Sequence, residues 1–406
     1  MLRMVVDEDG KQRILPDVPR YELKTLDLQQ EDETTIATRL ETLRDRLSHQ
    51  IFTTDQYPLF EIQAILLPED KIRFMVSFEV LLGDAWSFQL LGYEFAQILE
   101  NKANLLPPLT ISFRDYVMAE NSWRDSEDYQ HSLTYWQNRL SSLPPSPELP
   151  LTKRLGAVTQ PHFVRRSGKL KANDWQKLKD QASRLGITPS GLLLGAFAEI
   201  LTTWSKNHEF TLNLTLFNRL PIHPEINRLI GDFTSSLLLA VNNKGQDSFS
   251  TKARRIQGQL WEDLDHRHVS GVKILRELSR LRGGKGEALM PVVFTSTLTQ
   301  TSQQTSSSRS WDADVVYSVS QTSQVYLDHQ VSEIAGELIF NWDAIEELFP
   351  TGLLDDMFTA YSSFLERLAA DTTLWESQTL DLLPPEQIKI ITAVSYTHLR
   401  AHETER

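Results

Sequence analysis

Two carboxylates frame the end of an apolar run in the stretch SFEVLLGDAWSF: Glu79 inside it, and Asp84 just after Gly83. Paired carboxylates can share a proton or divide acid and base work between them. These two lie on a strand-like run that turns at Gly83, which sets them on opposite faces or on different elements. That spacing favours ion pairing and helix capping over a shared proton.

Other polar groups sit where apolar ones are expected. In FTLNLTLFN, Phe210, Leu212, Leu214 and Leu216 share one face of a strand, and Thr211, Asn213 and Thr215 the other. Asn218 has the parity of the apolar set, so it points toward a core or a tunnel. A buried amide needs partners, and Asn218 either holds a loop or contacts a ligand. Arg219 and Pro221 are expected to be turn structure. Gly231 and Asp232 mark a turn before a strand, with Asp232 bonded to nearby backbone. Thr295 lies within the apolar strand PVVFTS. Asp328 lies within QVYLDHQ, although strands are depleted in Asp. A buried carboxyl there gains proton affinity, which suits a group that both takes and gives a proton near neutral pH. The structural alternative is an edge-strand Asp328 paired with His329.

Three further patterns carry less. Asp263, Asp265, His266 and His268 read as a solvated polar cluster, without a metal-ligand pattern. RGGKGEA lacks the spacing of a phosphate loop and follows no strand. No G-x-S-x-G elbow is present.

The elements that must position these groups follow from periodicity. Ile36, Leu40, Leu43, Leu47 and Ile51 predict an amphipathic helix with Asp32 and Thr34 as caps. LFEIQAILL and KIRFMVSFEVLL predict strands. Asp84 caps a helix whose apolar stripe is Trp86, Leu90, Leu91 and Ile98. The prolines of SSLPPSPELPLTKR mark a boundary between two halves. Beyond it, ANDWQKLKDQASRLG predicts a helix capped by Asn173 and stopped at Gly186, and TPSGLLLGAFAEILTTW one capped by Thr188 with Pro189 at its first turn. PVVFTSTL, QVYLDHQ and GELIFNWD predict strands, LTQTSQQTSSSRS a surface loop, and LLDDMFTAYSSFLERLA a closing helix. Each half is α/β.

The chain has 406 residues, long enough for about two domains. Its formal net charge of -13 argues against nucleic-acid or anionic-membrane binding. It has no cysteine, hence no disulfide, thiolate metal site or Cys nucleophile, and a reducing, cytoplasmic setting fits. No apolar run is long enough to span a bilayer. MLRMVVDEDGKQRIL starts within a strand, with a hairpin turn at Asp9-Gly10, and an upstream segment is expected to precede it. The tail 394–406, VSYTHLRAHETER, resembles an adapter read-through sequence and is set aside from the fold.

Taken together, SFEVLLGDAWSF, LTISFRDYV, YWQNRL, FVRRSGKL, FTLNLTLFNRLP, LIGDFTSSLLL, LWEDLDHRHVSGVKILREL, MPVVFTS and QTSQVYLDHQ resemble the successive motifs of heterocyclisation (Cy) domains of nonribosomal peptide synthetases, in the condensation-domain superfamily. They cover residues 1 to about 385, and LLPPEQ resembles the linker into an adenylation domain. The resemblance implies an α/β fold of two chloramphenicol-acetyltransferase-like lobes forming a V-shaped pseudodimer with a central tunnel. The lobes would be 1–148, incomplete at its start, and 155–376, with 377–393 a linker toward an adenylation domain. Without its upstream segment the first lobe would expose apolar surface.

The implied reaction has two stages. The amine of a carrier-bound Cys, Ser or Thr attacks an upstream acyl or peptidyl thioester. Its side chain then closes on the new amide, and loss of water gives a thiazoline or oxazoline. Substrates ride on the 4'-phosphopantetheine of upstream and downstream peptidyl carrier proteins, and no cofactor or metal is bound directly. The resemblance assigns proton transfer to Asp328, with Thr295 bonded to it or to the hemiaminal, and has Asn218 orient the amide or the carrier arm. Peptide-bond-forming relatives carry H-H-x-x-x-D-G at EVLLGDAW, and cyclisation domains D-x-x-x-x-D. Here Glu79 makes it E-x-x-x-x-D, displacing the first carboxylate by about one C–C bond. Asp84 is expected to act through an ion pair with an Arg. An acyltransferase that stops at the amide, and a non-catalytic carrier-docking domain, are the alternatives.

Overall fold

Hydrophobic period decides element type along this chain, strands at a period of two and helices at 3.6. The computed structural model describes residues 1–100, 102, 106–283, 289–298, 315–384 and 387. Most of RGGKGEA and LTQTSQQTSSSRS, residues 385, 386 and 388–393 of the linker, and all of the tail 394–406 lie outside the described residues. By contacts the chain groups into two units. The first holds Met1–Trp123 and Phe217–Thr234; Arg124–Leu216 belongs to the second, as do the described residues from Ser235 on. These units differ from the expected lobes at two segments: 124–148 groups with the second unit and 217–234 with the first.

In the first unit, β1 (Met4–Val6) and β2 (Gln12–Ile14) pair antiparallel, turning at Gly10 with φ +79°. That left-handed backbone suits a residue without a Cβ. β3 (Lys24–Asp27) lies parallel to β4 (Phe60–Leu67), which pairs antiparallel with β5 (Lys71–Phe78). Helix α1 (Glu33–Ser48) is capped by Asp32, which accepts from the Thr35 N–H at 2.9 Å. Ile51, expected on its stripe, lies past its end and is exposed. The strand expected to reach Leu82 stops at Phe78, and Val80–Leu82 form a 3-10 turn. Helix α2 (Ala85–Leu99) buries Trp86 and Ala96 but leaves Ile98 exposed. Ile72, Phe74 and Val76 of β5 are also exposed. Helix α3 (Phe113–Ser122) opens with a capping box between Ser112 and Asp115. Its Tyr116 packs with Leu220, Ile226, Leu229 and Phe233.

The second unit is built on one six-stranded sheet. Its strands are β6 (Phe163–Leu170), β7 (Glu209–Phe217), β8 (Thr234–Asn242), β9 (Val292–Ser296), β10 (Leu327–Ile334) and β11 (Glu337–Ile345), in the order β6-β11-β10-β9-β7-β8. β9 runs parallel to β7 and β10, and β11 antiparallel to β10 and β6. The helices are α4 (Glu127–Arg139), α5 (Ala172–Arg184), α6 (Pro189–Trp204), α7 (Phe249–Asp265), α8 (Gly271–Leu281) and α9 (Leu353–Ala370). Asn173 does not cap α5: the helix has already begun at Ala172, and Lys171 stands at the cap without a side-chain bond. Thr188 does cap α6, accepting from the Gly191 N–H at 3.1 Å.

Alternation gives the sheet two unlike faces. Leu327, His329 and Val331 of β10, with Phe340, Trp342 and Ala344 of β11, are fully buried. The apolar ones join a core with Trp175, Phe197, Tyr361 and Phe364 from α5, α6 and α9. The opposite face carries polar side chains.

Candidate active site

The polar face brings together residues from five strands. Register places Asp328 of β10 opposite Asp343 of β11, Asp343 opposite Arg165 of β6, and Thr295 of β9 beside both Gln330 and Thr215. Thr295 Oγ1 lies 3.3 Å from Asp328 Oδ1 and 2.8 Å from Thr215 Oγ1. Gln330 Nε2 donates to Asp328 Oδ2 at 2.7 Å. Arg165 Nε donates to Asp343 Oδ1 at 2.7 Å, and both partners of this ion pair are largely shielded from water.

Burial is the dominant influence on Asp328, pushing its carboxyl from the ordinary 3.8 up to about 6. The Gln330 hydrogen bond pulls the other way, the Asp343 charge raises it, and Thr295 and Arg165 lower it. Such a carboxyl is poised to accept and release a proton near neutral pH. A line of hydroxyls, Thr215 and Thr295, ends on it. Each hydroxyl both donates and accepts, so the line can reverse with the protonation of Asp328.

The expected alternative, an edge-strand Asp328 paired with His329, does not hold. β10 lies between β9 and β11, and successive residues of a strand face opposite sides. His329 is enclosed by Phe197, Phe294, Trp342 and Tyr361, at 4.5 to 5.7 Å between ring centres. Burial drives its pKa well below the ordinary value, so the ring is neutral.

Of the remaining sequence candidates, the expected solvated cluster lies in the second unit, where Asp263 is instead fully buried, ion-paired with Arg139 and accepting from the Tyr135 hydroxyl at 2.7 Å. The others lie in the first unit. Asp84 caps α2, its Oδ1 accepting from the Ser87 N–H at 2.8 Å and the Ser87 hydroxyl at 2.6 Å. It also forms a two-pronged ion pair with Arg219: Nη2 to Oδ1 at 2.6 Å and Nε to Oδ2 at 3.1 Å. Arg219 Nη1 donates to the carbonyls of Ile226 and Leu229, and the guanidinium lies 3.9 Å from the ring centre of Phe233. Arg219 is therefore the anchor of the segment rather than turn filler.

Glu79 is half-buried ahead of the 3-10 turn, and its carboxylate makes no hydrogen bond or ion pair among the described residues. Asn218 is not on the strand. β7 ends at Phe217, so parity with Leu216 no longer fixes its direction. Its backbone donates to Phe233 O and accepts from the Tyr116 hydroxyl at 2.6 Å. It groups with the first unit, whereas Thr295 and Asp328 group with the second. Asp232 accepts from the Thr234 N–H at 3.0 Å, the turn contact expected of it, and desolvation raises its pKa.

Sequence reasoning missed Arg165, Thr215, Gln330 and Asp343. A signal existed for two of them. Gln330 shares the parity of Asp328, and Asp343 is a second acid within an apolar strand. Arg165 announces itself only through the pairing of β6 with β11.

Known proteins share this fold and sequence. The family described as the condensation domain matches residues 1–391. Pyochelin synthetase PchF of Pseudomonas aeruginosa is 38% identical over 92% of this chain, which spans 20% of that protein. Phenyloxazoline synthase MbtB of Mycolicibacterium paratuberculosis is 34% identical over 97% of the chain, which spans 33% of it. The chain thus covers a third or less of either of these relatives. The crystal structure of the EpoB NRPS cyclization-docking bidomain from Sorangium cellulosum superimposes with a TM-score of 0.83 at 38% identity, over 92% of this chain and 75% of that one. With this α/β fold and these matches, the chain belongs to the condensation-domain family, among the cyclization domains of nonribosomal peptide synthetases.

Proposed function

We propose that this chain joins a carrier-bound Cys, Ser or Thr to an upstream acyl or peptidyl thioester and closes the product to a thiazoline or oxazoline. In the first stage the amine nitrogen bonds to the thioester carbon, the C–S bond breaks, and the donor carrier leaves as a thiol with a proton from the amine. In the second the side-chain sulfur or oxygen adds to the amide carbon, giving a hydroxyl on that carbon. The C–O bond then breaks, water departs, and the nitrogen loses its proton as C=N forms. Asp328 gives the proton to the departing hydroxyl and takes the one from nitrogen, while Thr295 orients it. Tethering both substrates to carrier proteins makes their encounter effectively intramolecular.

The observation that carries this reading is Asp328, a strand carboxyl buried on the polar face with its pKa pushed up to about 6 and Thr295 beside it. The family supports it, as do the oxazoline in the name of MbtB and the cyclization in the name of the EpoB bidomain. Upstream and downstream carrier proteins and an adjacent adenylation domain are the partners this reading requires. Asn218 and Glu79 enter no step of it. Asp84 acts through Arg219.

The test is mass spectrometry of the carrier-bound product. Asp328→Ala should keep amide formation and lose dehydration, by about 100-fold or more for a general acid–base group. An undiminished ring yield would remove Asp328 from this role. Amide without ring from the unaltered chain would indicate an acyltransferase that stops there, and no transfer a docking domain.

A further inference from the structure

Gln330 follows Asp328 by two residues on β10 and shares its face. Its side-chain amide touches three charged groups. Nε2 donates to Asp328 Oδ2 at 2.7 Å and to Asp343 Oδ2 at 3.1 Å, and Oε1 accepts from Arg165 Nη2 at 2.9 Å. This orientation is forced by chemistry. A guanidinium has donors and no acceptor, and a carboxylate has acceptors and no donor. The reverse rotamer would set the amide oxygen against two carboxylates and the NH2 against Arg165. The ion pair that imposes the orientation is itself held. Arg165 donates to the Ser318 hydroxyl, and Asp343 Oδ2 accepts from the Ser320 N–H at 2.9 Å.

We propose that Gln330 is the positioning residue of Asp328: the Arg165–Asp343 pair locks its amide so that Asp328 Oδ2 is held and Oδ1, beside Thr295, is left to carry the proton. This rests on the reading of Asp328 given above, since Gln330 acts only through that carboxyl. Among the described residues, the charged groups facing Asp328 on this side of the sheet are Asp343 from β11 and Arg165 from β6. β9 and β7 contribute the uncharged hydroxyls of Thr295 and Thr215, and His329 faces the other way.

The test has two readouts. The first is the titration of Asp328, followed as the carboxyl infrared band that Asp328→Asn removes. The second is the pH profile of amide and ring formation with acyl-loaded and aminoacyl-loaded carrier proteins. Gln330→Leu should move the titration upward by about one pH unit, the worth of a hydrogen bond to a charged group. It should also slow ring closure on the order of tenfold through misorientation, without an equal loss of amide formation. Gln330→Glu keeps the size of the side chain and adds a third carboxylate, so its titration should move upward as well. An unmoved titration in either variant overturns the proposal, whatever the ring yield. So does a parallel loss of both products, which marks a merely structural residue. A moved titration with ring yield intact upholds the positioning and removes Asp328 from the chemistry instead.

Discussion

Asp84 and Glu79 look equivalent as residues in an E-x-x-x-x-D pattern, and their surroundings separate them. Asp84 has a fully buried side chain with both oxygens engaged, and its partner Arg219 is almost as deeply shielded. Removing one member of such a pair strands the other charge away from water. The guanidinium would keep only the carbonyls of Ile226 and Leu229, the Ser87 hydroxyl and the face of Phe233. Asp84→Ala should therefore cost about 3–5 kcal/mol of stability in the first unit. Glu79→Asp, which restores two aspartates, should change it by less than about 0.5 kcal/mol, because no partner of Glu79 is lost. Urea unfolding followed by hydrogen exchange over α2, whose Trp86 indole N–H donates to Asn227 O at 2.8 Å, reads this unit. Equal midpoints for Asp84→Ala and the unaltered chain would show that the pair does not anchor it.

Docking of elements depends on close approach as much as on charge. Gly231 N–H donates to the Ser87 hydroxyl at 3.1 Å, and Gly231 O accepts from the same hydroxyl at 2.9 Å. A Cβ at Gly231 would meet the ring of Phe113, at the start of α3, at 2.3 Å. Gly231→Ala should thus displace α3 from the segment 217–234 and cost about 1–3 kcal/mol as an overpacked contact. Hydrogen exchange over α3 should accelerate. Unchanged exchange there would mean that Phe113 swings aside without cost. The sequence marks IGDFTS as a turn and can show no more, because a glycine required by a distant ring looks the same as one required by local geometry. The same limit runs through the chain. Strand and helix types, the caps Asp32, Asp84 and Thr188, and the unusual strand position of Asp328 are all legible, since each depends on neighbours in sequence. Arg219 as the partner of Asp84, 135 residues away, is not. Nor is the line Arg165–Asp343–Gln330–Asp328, which exists only once β6, β11 and β10 lie side by side. Parity does not reach Asn218, because its strand ends one residue before it.

For the whole molecule, the raised pKa of Asp328 is a statement about stability. Below the ordinary carboxyl value of 3.8 both folded and unfolded chains hold the proton, and nothing is lost. As pH rises from there, the unfolded chain ionises first and draws the equilibrium toward itself. The penalty is complete above about 6, where the folded carboxyl has also ionised, and a rise from 3.8 to about 6 corresponds to about 3 kcal/mol. Asp328→Asn removes the ionisation while keeping a side chain that can accept from Gln330 and donate to Thr295. It should therefore be more stable than the unaltered chain at pH 8, by up to about 3 kcal/mol, with the gap closing toward pH 4. The chain carries 54 Asp and Glu residues, and their combined response to pH would swamp this one. Comparing two chains that differ at a single carboxyl cancels that background. Hydrogen exchange in β10 at pH 8 and pH 4, corrected for the intrinsic pH dependence of exchange, localises the effect to the second unit. A gap that stays constant between those pH values would mean that Asp328 ionises as readily folded as unfolded. A gap that opens with pH would mean that the fold keeps, at this one position of its sheet, a group that weakens it at the pH where the proposed chemistry runs. A chain selected for stability alone would replace such a group, and one that needs a mobile proton at that place would not.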